Sequence, residues 1–115
     1  MAEMTPSGID TGNLGTRAVL APKEALTSQN CKALAAKFQE FMNQGKTEII
    51  LDCKAVSFID SAALELLVKI HDDLKARGGV LKLIELDEVC TDILLATRLI
   101  NVFFVYENIH QAVKS

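Results

Sequence analysis

The pair of residues whose types and position best suit chemistry is Asp60-Ser61. It follows an apolar run, EIILDC over residues 48–53, and a short extended piece, at a point where a helix should begin. Helix amino ends present unpaired N–H groups and partial positive charge, which suit a serine or aspartate cap and also a phosphate attached to serine. Spacing alone favours a plain cap at Ser61. Asp60 could equally be the cap, with Ser61 as the first helical residue.

Other reactive side chains lack the neighbours that their reactions need. Asp52 ends a central strand, like the phosphate-accepting aspartate of a receiver domain, but Ala-Pro-Lys at residues 21–23 replaces the acidic pair that such domains carry. Ser61 lies outside any G-x-S-x-G elbow. His71 falls on the inner stripe of a predicted helix, as a core or boundary residue, and His110 lies on a short terminal helix. We therefore predict no catalytic residue and no enzyme activity, with a receiver-like phosphotransfer domain as an unfavoured alternative.

Cofactors, nucleic acid and membranes are not indicated by the composition. Cys31, Cys53 and Cys90 are far apart and form no C-x-x-C pair, which predicts three small buried thiols in a reducing compartment. No metal-ligand cluster, P-loop or G-x-G-x-x-G is present, so no metal or cofactor is expected. The net charge of −3 with scattered Lys and Arg argues against nucleic acid and direct membrane contact. Neither a signal peptide nor a membrane span is visible, which predicts a cytoplasmic protein.

The elements that must position Asp60-Ser61 alternate between strand and helix. Strands are predicted over residues 16–21, 48–53, 80–85 and 102–106, and helices after caps at Thr27 or Ser28, at Asp60-Ser61, at Asp87 and at Asn108. Such alternation favours parallel pairing with right-handed crossovers. The 115 residues therefore predict one α/β domain, a mixed, mostly parallel β-sheet of four to five strands covered by about four helices. Residues 1–15 are predicted to be a flexible tail or edge strand, and residues 16–115 the domain.

Residues 56–83, VSFIDSAALELLVKIHDDLKARGGVLKL, resemble the signature of STAS domains, above all the bacterial anti-sigma factor antagonists. The shared pattern is a hydrophobic run, Asp-Ser, a small residue, Gly, Leu, a helix and Gly-Gly before a strand. The matching residues are Asp60, Ser61, Ala62, Leu64, Gly78 and Gly79. The resemblance covers roughly residues 17–113. The departures are Ala63 and Arg98 in place of common glycines, and Glu24 and Thr27 in place of a glycine and an aspartate.

This resemblance implies a protein-binding switch. The expected partner is a serine-kinase anti-sigma factor or a related switch kinase, which binds the unmodified chain, phosphorylates Ser61 with its own ATP and then releases it. A phosphatase resets the cycle. The expected partner-binding residues are Leu26, Thr27, Ser28, Asp60, Ser61, Ala62, Glu65 and Lys69. STAS domains also serve as accessory parts of transporters, and in that alternative Ser61 is an unmodified cap.

Overall fold

The computed structural model describes residues 9–114, in which a five-stranded sheet packs against helices. The strands are β1 (Ile9–Leu14), β2 (Arg17–Pro22), β3 (Glu48–Asp52), β4 (Val80–Ile84) and β5 (Phe104–Tyr106). The helices are α1 (Cys31–Asn43), α2 (Ser61–Ala76), α3 (Glu88–Ala96) and α4 (Ile109–Lys114), with a 3-10 turn at Leu99–Asn101. The strands lie in chain order, β1 antiparallel to β2 and the remaining pairs parallel. The predicted fold class is confirmed.

One face of the sheet forms the main core beneath α1, α2 and α3. Alternate strand side chains point into it and are fully buried: Ala18, Leu20, Ile49, Leu51, Leu81 and Leu83. They meet apolar helix residues, among them Leu34, Phe38, Leu67 and Leu74. Each fully buried aliphatic or aromatic side chain contributes about 1.5–3 kcal/mol. This layer therefore holds α1, α2 and α3 on the sheet, and each of them begins after the carboxyl end of the preceding strand.

The opposite face of the sheet is covered by α4, which packs Ala112 against Ile50 and Ile84. The same face carries Lys82, whose side chain is almost completely buried. The Lys82 ammonium donates a hydrogen bond to the carbonyl of Ala112 at 2.7 Å and lies 3.4 Å from the Glu48 carboxylate. Burying an ammonium without partners costs free energy, so these contacts compensate the charge of Lys82 and attach α4 to the sheet.

The first helix begins later than predicted. A cap at Thr27 or Ser28 is wrong, because α1 starts at Cys31 and the residue before it is Asn30. The Asn30 side chain turns back instead of capping the helix: its oxygen accepts the N–H of Thr27 at 2.8 Å, and its amide donates to the carbonyl of Ala25 at 2.6 Å. These bonds hold residues 25–30 as a compact turn. Asp87, in contrast, caps α3 as predicted, accepting the N–H of Cys90.

The last strand is shorter than the predicted 102–106. Arg98 has a left-handed backbone, with φ 65° and ψ 11°, and the chain then makes the 3-10 turn before β5 starts at Phe104. Phe103 is buried in the main core. A non-glycine residue in this conformation costs roughly 1–2 kcal/mol, so the surrounding structure must compensate for a strained backbone at Arg98.

The predicted tail or edge strand is only partly within the described residues. Residues 1–8 lie outside them, and Ile9–Leu14 form the edge strand β1. Among residues 9–114, no helix is both long enough and apolar enough to cross a membrane.

Gly78 and Gly79 end α2 for two different physical reasons. Gly78 has φ +76°, a conformation that glycine adopts freely, and a Cβ there would meet open space. Gly79 packs against the start of β3, where a Cβ would collide with the carbonyl oxygen of Thr47. That carbonyl also accepts the N–H of Val80 at 2.8 Å. The close approach therefore fixes the chain between α2 and β4 against the start of β3.

Replacing the two glycines separately should give unequal losses of stability. Gly79→Ala should lower the free energy of unfolding by about 2–3 kcal/mol, because the new Cβ displaces the backbone of Thr47. Gly78→Ala should cost only about 1 kcal/mol, the strain of a left-handed alanine. Urea unfolding followed by circular dichroism measures both. Equal losses would show that the contact with Thr47 relaxes without cost.

Candidate functional site

The Asp60 carboxylate connects two loops at the carboxyl edge of the sheet. Its Oδ1 accepts the N–H of Ala63 at 2.9 Å and so caps α2. Its Oδ2 accepts the N–H of Ser28 at 2.9 Å, in the loop between β2 and α1. Of the two arrangements that the sequence allows, the structure therefore has Asp60 as the cap and Ser61 as the first helical residue.

A short backbone bridge joins the same two loops. Leu26 and Ile59 pair in parallel, the N–H of Leu26 donating to the carbonyl of Phe58 and the carbonyl of Leu26 accepting the N–H of Asp60, each at 2.9 Å. The side chains of Leu26 and Ile59 are buried in the main core. Main-chain bonds, apolar anchors and the Asp60 carboxylate thus hold the loops as one unit.

Ser61 lies at the outer end of this unit. Its side chain is exposed, and its hydroxyl makes no hydrogen bond with residues 9–114. The N–H groups of Ser61 and Ala62 belong to the first helical turn, where backbone donors lack intrahelical acceptors. Since Asp60 supplies the cap, the Ser61 hydroxyl can be modified without breaking a contact that holds the helix start.

Two apolar features next to Ser61 were not identified from the sequence. Phe58 is 46% exposed beside the buried Ile59, because successive side chains of an extended segment point to opposite sides. A shallow groove of about 360 Å³ begins at Ser61 and is lined by Ser61, Leu64, Glu65, Val68, Thr97 and Leu99. We call it the Ser61 groove. Its other wall comes from the turn after α3, which no local pattern around Ser61 could reveal.

The predicted partner-binding residues differ in exposure. Ser28, Ser61, Glu65 and Lys69 are exposed, while Thr27, Asp60 and Ala62 are half-buried. Leu26 is only 1% exposed, backbone included, so it lies beneath the surface and is not available to contact a partner directly. Lys69 lies 3.9 Å from Asp73 on the exposed face of α2, a pair that contributes little to stability.

The three thiols are poor nucleophiles at neutral pH. Burial raises the pKa of Cys53, and burial together with the Asp87 carboxylate raises the pKa of Cys90 to about 12. Burial and, second, the charge of Asp60 raise the pKa of Cys31. The prediction of three buried thiols is wrong for Cys31, which is half-buried because it occupies the first turn of α1 beside the site.

Metal-binding and histidine chemistry are not indicated either. Among the side chains of residues 15–114, no group of three His, Cys, Asp or Glu is placed to hold a metal ion. His71 is a half-buried boundary residue, as predicted, and packs edge-on against Phe103 with ring centres 5.8 Å apart. The sheet order also differs from the 2-1-3-4-5 order of receiver domains, which argues against a receiver-like site at Asp52.

Asp60→Asn should lower the free energy of unfolding by about 1–2 kcal/mol. The amide oxygen can accept only one of the N–H groups of Ala63 and Ser28, so its NH₂ must face the other donor. Asp87→Asn is the matched control, because Asp87 accepts a single backbone N–H, that of Cys90. Its loss should stay below about 0.5 kcal/mol, since Asn and Asp cap helices almost equally well. Thermal and urea unfolding measure both variants, and similar losses would contradict the loop-bridging role.

Known proteins resemble this chain in sequence and in structure. A protein of Thermotoga neapolitana, named as a candidate anti-sigma factor antagonist and TM1081 homolog, is 29% identical over 97 residues, covering 84% of this chain and 86% of the relative. The crystal structure of a candidate anti-sigma factor antagonist from Thermotoga maritima has a TM-score of 0.87 and 26% identity, with 92% of each chain covered.

Two more distant structures share the fold alone. Bacillus SpoIIAA in its phosphorylated form has a TM-score of 0.71 at 18% identity, covering 92% of this chain and 96% of that one. The murine anion transporter Slc26a9 has a TM-score of 0.75 at 17% identity, covering 89% of this chain and 18% of that one. The family model described as the STAS domain matches residues 9–112. The chain therefore belongs to the STAS domain family.

Proposed function

We propose that this chain is a protein-interaction switch of the anti-sigma factor antagonist type. In its unmodified form it binds a serine-kinase anti-sigma factor or a related switch kinase. The kinase phosphorylates Ser61, the phosphorylated chain dissociates, and a phosphatase restores the hydroxyl. The observation that carries the proposal is the exposed Ser61 hydroxyl at the start of a helix whose cap is Asp60.

The domain is expected to carry a phosphate on Ser61 without unfolding. The two hydrogen bonds of Asp60 do not involve the Ser61 side chain. A negative group in the first helical turn gains about 0.3–1 kcal/mol from the helix dipole, which offsets repulsion by the carboxylates of Asp60 and Glu65. The phosphate therefore changes the surface much more than it changes the fold.

A partner packed over Ser61 is expected to tolerate the phosphate poorly. The group adds a charge of about −1.5 to −2 at neutral pH. A hundredfold loss of affinity needs only about 2.7 kcal/mol. Burying an unmatched charge against a docked protein costs at least that much. Phosphorylation can therefore switch the complex through the interface alone.

The surface around Ser61 supports the proposal, because it combines exposed apolar and polar groups as protein interfaces do. Phe58 and the Ser61 groove offer exposed apolar area, and Ser28, Glu65 and Lys69 add exposed polar groups. Exposed aromatic side chains commonly anchor protein complexes. The names of the two Thermotoga relatives support the same function, and in this proposal the ATP is bound by the partner.

Phosphorylation should be specific for Ser61. We expect incubation with the candidate kinases encoded near the gene, with ATP, to yield one phosphate, mapped to Ser61 by mass spectrometry. Ser61→Ala should abolish it, while Ser28→Ala, which removes another exposed hydroxyl of the same surface, should leave it. Modification elsewhere with Ser61 untouched would overturn the proposal. Absence of modification together with co-purification with a membrane fraction would favour the transporter-accessory alternative.

Binding to the kinase should depend on charge at residue 61. Ser61→Ala should keep the affinity of the unmodified chain, and Ser61→Asp should weaken it by at least about tenfold. Thr47→Asp is the matched control, because it adds the same charge at an exposed position before β3, at the other end of the sheet. Isothermal titration calorimetry measures the three affinities. If Ser61→Asp and Thr47→Asp bind equally well, charge at residue 61 does not gate the complex.

A further inference from the structure

Arg98 occupies a backbone conformation that glycine adopts at no steric cost. It has φ 65° and ψ 11°, and it links α3 to the 3-10 turn at Leu99–Asn101. The hydroxyl of Thr97 donates to the carbonyl of Ile93 at 2.8 Å, which fixes the residue before Arg98 to the end of α3. Strained backbone conformations that the surrounding structure maintains are concentrated at functional sites, which makes the Arg98 side chain a candidate for a function.

The position of Arg98 is next to the Ser61 groove. Thr97 and Leu99, its two chain neighbours, line that groove together with Ser61. Arg98 is exposed, and no ion pair joins it to another side chain within residues 15–114. Its long side chain is therefore free to turn toward the groove.

The charges on α2 would leave a phosphate at Ser61 without a cation from its own helix. Asp60 precedes Ser61 directly, and Glu65 lines the groove one turn further along. Lys69 lies beside Asp73 at 3.9 Å. Two carboxylates would thus repel the phosphate. An arginine guanidinium, such as that of Arg98, is well suited to pair with a phosphate through two parallel hydrogen bonds.

We propose that Arg98 is the intramolecular partner of the Ser61 phosphate. On phosphorylation, its guanidinium turns over the Ser61 groove and pairs with the phosphate oxygens, so that the groove is covered as well as charged. The inference rests on the proposed phosphorylation of Ser61 and adds its regulation within this chain. Release of a partner then has two causes: the new charge and the loss of an apolar contact surface.

The test uses phosphoserine installed at position 61 during synthesis, so it needs no kinase and its outcome is independent of the kinase assay. The second pKa of the phosphate, followed by ³¹P NMR, should be about 0.5 unit lower in the parent chain than in Arg98→Gln. Arg98→Gln retains a non-glycine residue in the strained turn, so a change of backbone does not explain the difference. Arg98→Lys should restore most of the shift, and 1 M salt should abolish it.

Lys32 is the matched control. Lys32 lies in the first turn of α1, next to Cys31. Burial and, second, the charge of Asp60 raise the pKa of the Cys31 thiol, which places this turn near the site. Lys32 is therefore an alternative cation, on the opposite side of the site from Arg98. Lys32→Gln should leave the pKa of the phosphate within about 0.1 unit of the parent value. An equal pKa in the parent chain and Arg98→Gln, or a shift produced by Lys32→Gln in place of Arg98→Gln, would overturn the assignment.

Discussion

The two hydrogen bonds of the Asp60 carboxylate determine the geometry of the candidate site, because one oxygen holds the start of α2 and the other holds the loop after β2. The parallel bridge between Leu26 and Ile59 adds main-chain bonds, and the burial of both side chains fixes the depth of the loops above the core. Ser61 is therefore presented at a defined position although its own side chain contributes no contact to it.

The residues that stabilise the fold are therefore distinct from the exposed residues of the candidate site. The energy of the fold lies in the layer between the sheet and α1, α2 and α3, where strand and helix side chains are fully buried. The surface at the carboxyl edge carries exposed groups, among them Phe58, Ser61 and Glu65, that the core does not need. Under the proposed function, a change of charge there would alter what the domain binds at little cost to folding. Such independence is what a reversible switch requires.

Local patterns in the sequence predicted the order of elements well, because the apolar periodicity of strands and helices follows from the same burial that forms the core. The cap at Asp87 and the left-handed turn at Gly78 also have local causes. Asp60 and Ser61 could not be told apart as caps, since either residue type can fill that position and the choice depends on Ser28, which is distant in sequence. The cap expected at Thr27 or Ser28 failed for a related reason: Asn30 turned back to close its own loop.

The site was predictable only in part. Its central residues follow from the Asp-Ser pair, but the exposure of Phe58 depends on the bridge that buries Ile59, and the groove depends on a turn more than thirty positions away. The residues around Arg98 do not predict its left-handed backbone, although the family resemblance has a common glycine at that position. Long-range contacts of this kind need the assembled fold.

The chain-order arrangement of the strands has a consequence for how the protein is made. Each β-α-β unit adds its new strand beside the one just completed, so the sheet can grow from one edge as the polypeptide leaves the ribosome. No strand must wait for a later one to be inserted between neighbours. Helix α4, which packs Ala112 on the far face and accepts a hydrogen bond from the Lys82 ammonium, follows the last strand in the chain and is added after the sheet is complete. Synthesis from the amino terminus and assembly of the sheet thus proceed in the same direction.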